Sequence, residues 1–179
     1  MLVVQSSKVG FGMAPAPKTL VLIRGLPGSG KTTLAKAYLN QFTKSLLPWD
    51  RLRCAHFEAD MFFYRDGTYQ YDPKLLEVAQ RQCLAQAEAA MRNNLNIVVV
   101  SNPFIRLWEM EPYIALANAL GYKVQEIILS ASFPNVHGVP SDAIERMRQH
   151  FQVRPKQYIL GVNPETLPNS LNGNSPEQN

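Results

Sequence analysis

Leu20-Val21-Leu22-Ile23-Arg24-Gly25-Leu26-Pro27-Gly28-Ser29-Gly30-Lys31-Thr32-Thr33 is the stretch that decides the fold. From Gly25 onward it satisfies the spacing G-x-x-x-x-G-K-[ST], and an apolar run leads directly into it. Glycines at 25, 28 and 30 let the backbone turn through positive φ. Successive N–H groups then point inward and, with a helix N-terminus behind them, surround the β-phosphate of a nucleotide. In that arrangement Lys31 reaches the β- and γ-phosphates, Thr32 offers its hydroxyl to Mg²⁺, and Pro27, Ser29 and Thr33 complete the phosphate-binding wall. The spacing is informative only between a strand and a helix. Leu20 to Arg24 reads as that strand, and Leu34, Ala35, Ala37, Tyr38 and Phe42 read as a helix running to about Lys44.

Outward from this loop, 179 residues suit one domain with one layered core. At 46 % hydrophobic and 18 % charged residues the chain has an ordinary globular composition, and its net charge of +4 suits an anionic partner such as a nucleotide or nucleic acid. No run of five or more Lys or Arg occurs, which argues against a long duplex-binding face. Cys54 and Cys83 have neither C-x-x-C spacing nor a matching His pair, and read as buried, reduced structural residues. No apolar stretch reaches the length of a membrane span, and Met1 to Met13 lacks the pattern of a signal peptide. A cytoplasmic protein without membrane contact or an obligate protein partner is expected.

Residues 1–18 read as a flexible leader, 19–152 as the domain, and 153–179 as a wrapped or disordered tail punctuated by prolines at 155, 164 and 168. Arg51 to Phe57 is a second predicted strand, ending at Glu58-Ala59-Asp60. Asn96 to Val100 is a third, delivering Ser101-Asn102, and Tyr122 to Leu129 is a fourth. A helix opened by Asp72-Pro73 carries the stripe Leu76, Ala79, Cys83, Ala87 and Met91. Another covers Trp108 to Leu120 before Gly121, and a last one is capped by Ser141 with Ile144, Met147 and Phe151 facing inward. Met61 to Tyr71, rich in aromatics around a turn at Asp66-Gly67, fits neither periodicity and reads as a substrate-facing loop. Alternating strands and helices imply a parallel sheet with ligands beyond the carboxyl ends of its strands. The phosphate loop, Glu58-Ala59-Asp60 and Ser101-Asn102 should therefore converge.

Transfer of a γ-phosphoryl group requires charge neutralisation, Mg²⁺ and a carboxylate that accepts the proton of the incoming hydroxyl. Lys31 and Asp60 are the catalytic candidates, with Glu58 in reserve for the carboxylate. Many proteins with this loop hold the metal through an aspartate at the end of the third strand. Here Ser101-Asn102 is neutral, so Asp60 is also a metal candidate beside Thr32. Asn102 offers hydrogen bonds to a substrate, and Phe62 offers a ring for stacking. A lid over such a site supplies a cation. Ser130 to Pro140 has the right place in the chain, yet its titratable group is His137, a candidate nucleotide contact or a histidine bonded to a loop carbonyl. Arg146 and Arg148 follow on the last helix, as phosphate contacts or as surface.

The combination of the G-L-P-G-S-G-K-T-T loop with Glu58-Ala59-Asp60-Met61-Phe62-Phe63, Val100-Ser101-Asn102, Trp108-Glu109-Met110-Glu111-Pro112-Tyr113 and Asn135-Val136-His137-Gly138-Val139-Pro140 resembles the polynucleotide-kinase-like branch of P-loop kinases. Within that branch it is similar to small bacterial and phage ATP-binding proteins labelled AAA-type ATPases. The resemblance spans Thr19 to Gln152. It implies an α/β three-layer P-loop NTPase sandwich with an adenylate-kinase-like parallel sheet, ATP with Mg²⁺ as donor, and a hydroxyl acceptor such as a polynucleotide 5′ end or a nucleoside. The family's acceptor-activating aspartate maps to Asp60 or to Ala59. Departures from the pattern are Asn102 in place of an aspartate, Pro103 in place of a threonine, a short lid without its arginine, and His150 in place of an arginine. The expectation is an ATP-dependent kinase. The alternatives are an ATP-binding or hydrolysing module, and a small-molecule phosphotransferase of the toxin or antibiotic type.

Overall fold

A computed structural model describes residues 18–43, 52–131, 138–154 and 159–160. In chain order the elements are β1 (Thr19–Gly25), α1 (Lys31–Thr43), β2 (Cys54–Phe57), the hairpin strands β3 (Tyr64–Arg65) and β4 (Thr68–Tyr69), α2 (Leu76–Arg92), β5 (Ile97–Ser101), α3 (Glu111–Ala119), β6 (Lys123–Leu129), α4 (Ser141–His150) and β7 (Ile159–Leu160). Strands β2-β5-β1-β6-β7, in that spatial order, form one five-stranded sheet in which every pairing is parallel. β1 and β5 are apolar on both faces because both faces are covered. Leu20 and Leu22 pack into a core with Cys83, Ala87, Met91 and Tyr113 from α2 and α3. Val21 and Ile23 point the other way, to Ala35, Tyr38 and Phe42 of α1, as the two-residue period of a strand requires. The result is the expected helix–sheet–helix sandwich.

Several expectations are revised. β2 begins only at Cys54, and Cys54 is half-buried, its Sγ donating to the Leu52 carbonyl at 3.3 Å, whereas Cys83 is buried; both thiols are free. The aromatic segment is not an irregular loop. A 3₁₀ turn over Ala59–Phe63 leads into the β3–β4 hairpin, closed by Asp66 and Gly67 at φ +48° and +77°, the positive values that a two-residue hairpin turn demands. Phe63 is 1 % exposed, with its ring against Phe62, Tyr69 and Tyr71, so this segment belongs partly to the core. Ser141 is the first helical residue rather than the cap: Pro140 precedes the helix and accepts the Ile144 N–H at 3.1 Å. Of the segment expected as a wrapped or disordered tail, Ile159–Leu160 form β7 beside Ile128 and Leu129, and residues 155–158 and 161–179 lie outside the described residues. The leader through residue 17, and His137, lie outside the described residues. Among the described residues, no helix is long and apolar enough to cross a membrane.

Arg24 interrupts the apolar run of β1, and its side chain is fully buried. Nε and Nη2 donate to the Phe104 carbonyl at 3.1 and 2.6 Å, Nη2 also to the Gln152 carbonyl at 2.7 Å, and Nη1 to the Glu126 carboxylate at 2.7 Å. The guanidinium carbon lies 4.6 Å from the centroid of the Phe151 ring. Burial pushes its pKa down, and the hydrogen bond and charge of Glu126 oppose that shift. One side chain therefore joins the central strand to the loop after β5, to β6 and to the end of α4. Replacing it (Arg24→Met) removes the cation nearest Glu126 and the donor to two carbonyls. Unfolding in urea followed by circular dichroism should show a loss of about 3–5 kcal/mol, the usual result of breaking a buried ion pair from one side.

Candidate active site

The loop between β1 and α1 is held open by close backbone packing. Gly25 stands at φ +152°, and a Cβ there would meet the Leu129 carbonyl and, at 2.6 Å, Ser29 Oγ. Lys31 Nζ donates to the Gly25 and Leu26 carbonyls, both at 2.9 Å. An ammonium group carries three protons, so one remains for a phosphate. Burial lowers the Lys31 pKa to about 8, against the nearby charges of Asp60 and Glu58, which raise it. Ser29 Oγ is buried and has no hydrogen-bond partner among the described residues. Such an orphaned hydroxyl in the loop ahead of α1 suits a ligand rich in acceptor oxygens.

Asp60 is carried by the 3₁₀ turn at the end of β2, half-buried and lining the same cleft as the loop. The Tyr69 hydroxyl donates to its Oδ1 at 3.3 Å. Burial and the charge of Asp60 push the Tyr69 pKa upward, so the phenol keeps its proton. Ala59 is buried in the core, which leaves Asp60 as the carboxylate of this turn. Asn102 is committed within the protein: its Oδ1 accepts the Ala59 N–H at 2.9 Å and its Nδ2 donates to Cys83 Sγ at 3.5 Å. It positions the turn that carries Asp60.

Glu58 is drawn into a network absent from the sequence reading. His56 Nε2 lies 3.1 Å from Glu58 Oε1 and 2.8 Å from Ser101 Oγ, and Ser101 Oγ donates to Glu58 Oε1 at 2.5 Å. The Thr32 hydroxyl is also hydrogen-bonded to this carboxylate. Burial alone would raise the Glu58 pKa, but the bonds from His56, Ser101 and Thr32 and the charge of His56 hold it below the ordinary value. The signal that could have revealed His56 is strand alternation, since Glu58, just past β2, keeps extended backbone and so falls on the face of His56.

The cleft measures about 1380 Å³, and its lining includes Tyr69, Tyr71, Trp108, Pro112, Tyr113 and Met147. The Tyr69 and Tyr71 rings are stacked at 10° with centroids 6.5 Å apart, and Trp108 is 65 % exposed. Phe62 lines a separate cavity of about 180 Å³ behind Glu58. Arg146 and Arg148 are exposed on α4 and pair with Asp142 and Glu145 of the same helix, while Ala143 and Met147 line the cleft. Replacing Asn102 with alanine strands the buried Ala59 N–H. A destabilisation of about 1–3 kcal/mol is expected in urea unfolding.

A family model described as AAA domain matches residues 20–137. Human NEDD4-binding protein 2 is 33 % identical over 142 residues, 74 % of this chain, which spans only 8 % of that protein's length. "Uncharacterized protein PM0531" of Pasteurella multocida (strain Pm70) is 29 % identical over 155 residues, covering 82 % of this chain and 84 % of that one. Among solved structures, Chaetomium thermophilum Kti12 in complex with ADP-AlF3 is similar at a TM-score of 0.52 and 13 % identity, over 82 % of this chain and 83 % of that one. The Pnkp1/Rnl/Hen1 RNA repair complex is similar at 0.50 and 16 %, over 79 % and 46 %. At these identities the likeness shows the fold alone, a parallel sheet with helices on both faces. Matched from Leu20 in its central strand to residue 137 ahead of α4, the chain belongs to the AAA domain family.

Proposed function

We propose that this protein is an ATP-dependent phosphotransferase that moves the γ-phosphoryl group to a hydroxyl acceptor resting on the aromatic wall of the cleft. One observation carries this reading: Lys31, Thr32, Asp60 and the Tyr69–Tyr71–Trp108 wall share a single cavity. The orphaned Ser29 hydroxyl and the third proton of Lys31 fit a triphosphate. Mg²⁺, for which Thr32 provides a hydroxyl, neutralises charge on the β- and γ-oxygens when bound. Lys31 adds the second positive charge. Asp60, oriented by the Tyr69 hydroxyl, accepts the acceptor's proton as the acceptor oxygen bonds to the γ-phosphorus. The bond from that phosphorus to the β–γ bridging oxygen breaks, and ADP leaves. Flat rings on the wall suit a nucleoside or the terminal base of a polynucleotide 5′ end as acceptor.

A second reading, ATP hydrolysis without transfer, draws on α4: its described cleft-lining residues are apolar, and Arg146 and Arg148 are paired on its outer side.

Incubation with γ-labelled ATP and a panel of 5′-hydroxyl oligonucleotides, nucleosides and small hydroxylated metabolites should move label to one acceptor class. Release of label solely as inorganic phosphate would establish the hydrolytic reading instead. In Asp60→Asn, transfer should fall by about 10²–10⁴-fold, the range for loss of a general base, with ATP binding retained.

The Lys31 value gives a separate expectation. The ammonium form is the one that binds phosphate, and it is lost as pH rises through about 8. Affinity for a fluorescent ATP analogue should therefore weaken between about pH 7 and about pH 9, one unit either side of that transition. Lys31→Arg should remove that dependence, and Lys31→Ala should abolish binding.

A further inference from the structure

The geometry points to Glu58, at the end of β2, as the carboxylate that orients the magnesium ion of the bound nucleotide, in place of an acidic residue at the end of the third core strand. The inference rests on the nucleotide-binding half of the reading above and not on phosphoryl transfer. In P-loop enzymes an aspartate holds the ion together with the hydroxyl of the loop. Here β5 ends in Ser101, which has no charge. β2 runs parallel to β5 with Phe57 across from Val100, so the next residue, Glu58, extends beside Ser101, and its carboxylate accepts a hydrogen bond from the Ser101 hydroxyl at 2.5 Å. An acid on the neighbouring strand thus reaches the place that an acid on β5 would occupy.

Two features of the chemistry distinguish this from a structural ion pair. Thr32 and Glu58 line the same cleft, and the Thr32 hydroxyl is among the groups that hold the Glu58 pKa down. A hydroxyl has one proton and two lone pairs, so a threonine that directs its proton to this carboxylate would present its lone pairs to a cation. In addition, the Glu58 side chain is only 11 % exposed, and its ion-pair partner is His56, whose side chain is 7 % exposed. A carboxylate withdrawn from water to this degree is stabilised by positive charge beside it, and a divalent ion held at the phosphates would add to what His56 provides. Among the described residues, no three His, Cys, Asp or Glu side chains form a cage. Mg²⁺ in nucleotide sites does not require one, since it is held by one or two protein groups, phosphates and water. Asp60, bonded to Tyr69, is left for the acceptor.

The experiment is a Mg²⁺ titration of the full chain at saturating fluorescent ATP analogue, with nucleotide affinity in EDTA measured in parallel. In Glu58→Gln the Mg²⁺ midpoint should rise about 10–100-fold, as when the supporting group of a metal ligand is lost, while affinity in EDTA stays within about twofold of wild type. Asp60→Asn should keep the wild-type midpoint. The double variant Glu58→Ser/Ser101→Asp, which moves the charge to β5, should recover it. An unchanged midpoint in Glu58→Gln, or a raised one in Asp60→Asn, overturns the assignment. If Glu58→Gln fails to fold or loses binding in EDTA as well, the double variant decides: a wild-type midpoint supports the assignment and any weaker one overturns it. Failure of the wild-type protein to bind the analogue at all would instead refute the function proposed above.

Discussion

Parallel pairing of β1, β5 and β2 in fixed register is the constraint on which this site depends. Ile23 lies across from Ser101, and Phe57 across from Val100, so the residues that follow each strand emerge side by side at one edge. A slip of one residue would turn Leu20 and Leu22 into the layer occupied by Val21 and Ile23 and disrupt both cores at once. The apolar pattern thereby sets the positions of groups that contribute little to packing. Glu58, Ser101 and the loop from Gly25 meet because the hydrophobic layers on either side of them admit one alignment.

Much of this is legible in the residues, and what is not shares a physical reason. The glycine spacing before Lys31 and the unbroken apolar runs of β1 and β5 are local signals. So is the stripe of α2, in which Ala79, Cys83, Ala87 and Met91 are all buried. Leu76, the first residue of that stripe, is instead exposed, because the helix starts there beyond the edge of the core. Arg24 reads as a cation ending a strand. Its burial is decided by Phe104, Glu126 and Gln152, which are 80, 102 and 128 positions away. Phe62 and Phe63 are chemically identical, and only the turn decides which enters the core. β3, β4 and β7 are two residues each, too short for any period to register. The surroundings of Glu58 are hidden for the same reason as those of Arg24: its partner Ser101 arrives from the end of another strand, 43 positions away.

Electrostatics at this edge reflects a balance of burial and charge. Lys31 is withdrawn from water, which disfavours its charged form, and Asp60 and Glu58 act in the opposite direction, so the ammonium persists near neutral pH. Glu58 is stabilised as an anion by donors rather than by a lysine or arginine. The strongest cation of the neighbourhood, Arg24, is spent on architecture, while the exposed pairs of α4 contribute little to stability.

The turn bearing Asp60 has a consequence for timing. Ala59 beneath it donates to Asn102, whose own backbone N–H donates to Ile23 in the central strand, and Phe63 at its far end is sealed in the core. A carboxylate on a free loop would have to sample many orientations in each encounter with a partner molecule. On this turn most of that sampling ends once the chain has folded, so the rigidity of the core is what makes the acid ready in advance.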